Sequence, residues 1–94
     1  MITKDLQLIY SDILNNQSYE LIKNNIESII EKLTDSIDKN EEIIESVRES
    51  YDGGLYSEEL IKKIYDGFNR FDQNEKQKLI DLMSKLIELR SEFL

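Results

Sequence analysis

Not one proline interrupts the 94 residues, and from Leu6 onward apolar side chains return every three or four positions. Proline breaks a helix by removing a backbone donor and clashing with the preceding turn, so its absence leaves long helices unopposed. Only three glycines are present, and Ile, Leu, Glu and Lys are abundant, which argues against a turn-rich β fold. The expected fold class is all-α: one domain over residues 1–94, built as an antiparallel four-helix bundle. A chain of 94 residues buries roughly 60–65% of the surface its unfolded form exposes. Its core is therefore thin, and each buried side chain matters.

The first helix is announced by Leu6, Ile9, Tyr10, Ile13 and Leu14, spaced to share one helical face. "NNQS" then ends the pattern. Ser18 can accept a hydrogen bond from the first turn of a second helix, whose stripe is Ile22, Ile26, Ile29, Ile30, Leu33 and Ile37. In "TDSIDKNEE" two signals conflict. Thr, Asp, Ser and Asn disfavour helix interiors, and Asp38 with Glu41 has the spacing of a capping box. Yet Ile37, Ile44, Val47 and Tyr51 continue the earlier stripe in phase. A break near residues 38 to 40 is expected, because one helix from 18 to 51 would extend about 50 Å and overhang its neighbours.

Tyr-Asp-Gly occurs twice, at Tyr51 and at Tyr65. It could mark a repeated ligand loop or two helix stops, and the stops explain more. Gly53 and Gly54 follow the last in-phase residue, where glycine closes a helix in the left-handed conformation. The third helical region is thus expected to split there, with Ser57 capping a new helix whose buried stripe is Leu60, Ile61, Ile64, Tyr65 and Phe68. Gly67, one residue before Phe68, reads as a fraying last turn. Asp72 and Glu75 have capping-box spacing and open the final helix. That helix carries two apolar seams. Leu79, Leu82, Leu86, Leu89 and Phe93 form the one assigned to the bundle interior, and Ile80, Met83, Ile87 and Leu94 form the other.

Twelve basic against twenty acidic residues leave a net charge of −8, which repels nucleic acid and anionic headgroups. Residues 1–47 hold four basic and ten acidic side chains, a balance of −6, and residues 48–94 hold eight and ten, a balance of −2. With neither cysteine nor histidine, the chain lacks the thiolate nucleophile, the commonest metal ligand and the usual base near neutral pH. "DQNEKQKLIDL" starts like a calcium loop but has no glycine at its sixth position and no glutamate at its twelfth. Clustered carboxylates such as Glu41, Glu42 and Glu45 alternate with apolar positions as solvated helix faces do. The expectation is a non-enzymatic, cytoplasmic protein without cofactor, metal site or transmembrane segment, existing as a monomer or weak dimer.

One region mixes basic and aromatic residues: Tyr56, Lys62, Lys63, Phe68, Arg70 and Phe71, with Lys76 and Lys78 beyond them. The acids interspersed there disfavour RNA, so these six are the candidate protein-binding residues.

The order of parts resembles the class IIa bacteriocin immunity proteins of the enterocin A type. The likeness rests on the short first helix "LQLIYSDIL", the longer "SYELIKNNIESIIEKL" with its polar link, and "NRFDQNEKQKLIDLMSKLIELR" near the end. It implies an antiparallel four-helix bundle that protects a producing bacterium from its own pore-forming peptide. It also implies a protein partner, the bacteriocin together with its membrane permease receptor, and no catalytic residues. Family members run an unbroken third helix and add a C-terminal tail that selects the bacteriocin. Here "DGGLYS" interrupts the third region and Leu94 ends the sequence, so if the resemblance holds specificity is expected elsewhere than in such a tail, and the aromatic and basic region from Tyr56 to Lys78 is the candidate. A helical export chaperone, holding a partner's amphipathic helix in an apolar groove, is the alternative.

Overall fold

A computed structural model describes the chain path of residues 2–39 and 55–91, and the side chains of 6–35 and 58–91. The protein is an all-α, antiparallel four-helix bundle, with no strand among the described residues. Helix α1 spans Ile2–Leu14, α2 Tyr19–Lys39, α3 Leu55–Gly67 and α4 Gln73–Ser91, with a 3-10 turn at Phe68–Arg70 between α3 and α4.

Helix α1 closes with a Schellman motif. Gln17 N–H donates to Asp12 O at 3.0 Å and Asn16 N–H to Ile13 O at 3.1 Å. The motif needs a left-handed residue, and Asn16 supplies it at φ 54°; asparagine is the side chain that best replaces glycine there. Two residues on, Ser18 Oγ accepts from Leu21 N–H at 3.2 Å, so α2 starts where the cap predicts. At the other turn Asp72 Oδ1 accepts from Glu75 N–H at 2.8 Å and opens α4.

Helix α2 runs through "TDSIDK" to Lys39. Thr34 is accommodated by donating its hydroxyl to Ile30 O at 2.8 Å, one turn back. The expected break near residues 38 to 40 therefore does not fall before Lys39, and its remainder lies outside the described residues. So do the helix expected over 41–51 and the stop at Gly53 and Gly54. Helix α3 begins at Leu55 instead of being capped by Ser57. The first turn of a helix has free N–H groups in any case, so serine fits inside it as well as before it.

The helices form two hairpins, α1–α2 and α3–α4, whose turns lie at the same end of the bundle. Tyr19 at the start of α2 meets Phe71 just before α4, with ring centroids 6.2 Å apart. Gly67 at the end of α3 lies against Ile13 near the end of α1. The closest lateral pairs are accordingly α1 with α3 and α2 with α4, each pair running in the same direction.

Gly67 has ordinary right-handed helical angles, φ −65° and ψ −23°, so the second Tyr-Asp-Gly is not a left-handed stop. A Cβ there would lie 2.4 Å from Ile13 Cγ2. The residue is small because α1 and α3 approach too closely for a side chain.

One core joins all four helices. Leu6, Ile9 and Ile13 of α1 meet Ile22, Ile26, Ile29, Ile30 and Leu33 of α2, together with Leu60, Ile64 and Phe68 and, from α4, Leu79, Met83 and Leu86. Two expectations are corrected here. Leu14 is 63% exposed, because it lies about 80° round the helix from Leu6 at 100° per residue. On α4 the buried column is Leu79, Met83, Leu86 and Arg90. It runs between the two expected seams, leaving Leu82 and Leu89 half-buried on one flank and Ile80 and Ile87 on the other.

Candidate functional site

Five of the six candidate residues separate into three environments. Phe68 is wholly buried, at 0% exposure, and packs edge-on to Tyr65 with centroids 6.1 Å apart. It belongs to the core and offers nothing to a partner; the 3-10 turn carries the α3 stripe one residue past Gly67 and turns this ring inward. Tyr56 falls in the first turn of α3, and its side chain lies outside the described residues.

Arg70 and Phe71 sit at the turn end of the bundle. The Arg70 guanidinium lies 4.1 Å from the centroid of the Phe71 ring, and its Nη2 donates to the Gln17 carbonyl oxygen. Phe71 in turn meets Tyr19 edge-to-face, with 66° between the ring planes. These groups clasp the turn of one hairpin to the turn of the other. A planar guanidinium suits that duty, since it stacks on an aromatic face while its N–H groups point sideways at an acceptor.

Lys62 and Lys63 are both exposed on α3, about 100° apart round its axis. Lys63 Nζ is 3.7 Å from Glu59 Oε1, one turn earlier, a pair half or more exposed to water on both sides. Such a pair contributes about 0–1 kcal/mol, so it orders the surface only slightly.

Lys63 is also part of a groove between α1 and α3. Gln7, Tyr10, Ser11 and Leu14 form one wall, and Glu59, Leu60 and Lys63 form the other. The groove encloses about 310 Å³, and its lining exposes more apolar than polar surface. Tyr10, Leu14 and Leu60 supply the apolar part. Sequence spacing missed this site, because it assigned Tyr10 and Leu14 to the core. The signal was there in the helical phase: both lie on the α3-facing edge of the α1 stripe, away from its centre.

A second feature not anticipated is polar. Asp12, only 9% exposed, accepts a hydrogen bond from Asn25 Nδ2 at 2.7 Å and so ties α1 to α2 beside the core. Arg90, 4% exposed, ends the buried column of α4. Its cation lies in the last turn, where the helix dipole favours positive charge.

Among the described residues no cluster of carboxylates is placed to hold a metal ion. Nor is any described helix long and apolar enough to cross a membrane. Compared with family models, with characterised proteins and with solved structures, the chain matches none of them.

Proposed function

We propose that this protein works by binding another protein, and that its role is immunity to a class IIa bacteriocin. In this reading it acts without catalysis from the cytoplasmic side, engaging the bacteriocin together with its permease receptor. One observation supports the reading: the three segments on which the resemblance rests fall on three helices of a bundle, the kind of fold it implied. "LQLIYSDIL" lies in α1, "SYELIKNNIESIIEKL" caps α2 and forms its N-terminal part, and "FDQNEKQKLIDL" caps and opens α4. The direct test is expression of the chain in a bacteriocin-sensitive strain. Survival under a class IIa bacteriocin is the expected result, and killing equal to that of the empty-vector control overturns it.

The alternative, an export chaperone, is favoured by the apolar groove between α1 and α3, since chaperones of this kind hold amphipathic helices in such grooves. A chaperone would keep the isolated helix of its export substrate soluble and would leave the sensitive strain unprotected.

A further inference from the structure

We propose that the face shared by α1 and α2 is a protein-binding surface centred on Asp12, where a partner's lysine or arginine, flanked by apolar side chains, pairs with the Asp12 carboxylate. The inference rests on the protein-binding part of the reading above and adds where the contact lies and what chemistry it takes.

Asp12 stands in an unfavourable place. It falls in the last turn of α1, which holds no basic residue, and the negative end of a helix dipole repels a carboxylate. The residue is 9% exposed, and a carboxylate drawn out of water is normally held by a cation. Here the carboxylate's one partner among the described residues is the neutral amide of Asn25, which donates to Oδ2 at 2.7 Å. The lysines of both helices lie elsewhere. Lys4 and Lys32 are each about two turns along their helices from this pair, and Lys23 is about 160° round α2 from Asn25.

Apolar side chains border the same spot. Of the three exposed large hydrophobic residues described, Leu8, 49% exposed, is one turn before Asp12, and Leu21, 40% exposed, is one turn before Asn25. Because α1 and α2 run antiparallel, the two leucines lie on opposite sides of the Asp12–Asn25 bond, about 12 Å apart along the helices at 1.5 Å per residue. A partner helix with apolar residues at i and i+7, about 10 Å apart, and a basic residue between them matches that order.

Charge selects the occupant. A partner's cation gives Asp12 the counter-charge that this chain withholds, and pairing is stronger at a sheltered carboxylate than on open surface. The net charge of −8 favours the approach of a basic segment. A second copy meeting this face symmetrically would set one Asp12 against the other.

Asp12→Asn removes the charge and keeps both the shape and an oxygen to accept from Asn25. Its urea midpoint is expected at or above the parent's; a lower midpoint would mean that the charge is satisfied within the chain, and overturns the proposal. Binding is read by fluorescence anisotropy with a synthetic helix of about 18 residues, five turns, carrying leucines at i and i+7 and one lysine between them, and with a counterpart whose lysine is glutamine. The parent should bind the lysine peptide about tenfold or more tightly than the glutamine peptide, and Asp12→Asn should bind both alike. Leu21→Ser, at a position already open to water, should keep the parent's midpoint and weaken binding of the lysine peptide. Equal behaviour of the two peptides with the parent, an undiminished preference in Asp12→Asn, or undiminished binding by Leu21→Ser overturns the proposal. So does sedimentation showing a dimer that Leu21→Ser dissolves, since a second copy would then occupy the face. The survival assay keeps the two readings apart: protection retained by Asp12→Asn sinks this face alone, and lysine-selective binding without protection by the parent sinks immunity alone.

Discussion

A methyl group added at Gly67 would overlap Ile13, and the sign of its effect depends on two opposed quantities. Inside a helix, alanine is ordinarily favoured over glycine by about 1 kcal/mol. Here the added carbon would lie 2.4 Å from Ile13 Cγ2 and 3.0 Å from Ile13 Cδ1. Cγ2 branches directly from Cβ and cannot swing away without turning the whole side chain, which is 9% exposed and packed. Overpacking of this kind costs about 1–3 kcal/mol, enough to outweigh the propensity gain. Gly67→Ala should therefore lower stability in urea denaturation. In an Ile13→Ala background the same change should become neutral or favourable, and the cycle of four proteins isolates the contact. A Gly67→Ala single variant more stable than its parent would mean that α1 and α3 have room to part.

Helix α4 shows how an element's phase is read and misread. Leu79, Met83 and Leu86 are at most 1% exposed, whereas Leu82, Ile80 and Ile87 are half-buried flanks. Leu79→Ala and Leu86→Ala should each cost about 2–5 kcal/mol. Alanine at Leu82, Ile80 or Ile87 should cost about 1 kcal/mol, since a half-covered side chain gives up less area. Chemical denaturation of the five variants checks the ranking, and equal losses at Leu82 and Leu86 would return the core to the seam through both. The apolar spacing on α4 was legible without coordinates, but its centre was not. The two seams lie about equally far to either side of the buried column at 100° per residue, and only the neighbours decide which direction is inward. Caps were easier to read. Ser18 and Asp72 act through bonds to their own next turn, so local sequence contains everything they need. Gly67, the Arg70 clasp and the groove depend on residues far away in the chain, and spacing alone could not assign them.

At the scale of the molecule, two hairpins stand side by side with their turns together, and this bears on the time course of folding. Each hairpin joins segments near in sequence, but docking brings together residues as distant as Arg70 and Gln17, which are 53 positions apart. Loop closure over that distance has to precede the contacts that reward it, so docking should be the slow step. Ile64, wholly buried in α3, belongs to the docking surface, and Ile64→Val should slow refolding in stopped-flow measurements. The clasp is peripheral and exposed, so it should close only after the barrier is crossed. Arg70→Ala should then leave the refolding rate unchanged and hasten unfolding; slowed refolding in this variant would place the clasp before the barrier. By that logic the stacked guanidinium governs how long a folded molecule lasts once formed, and has little influence on how soon it forms.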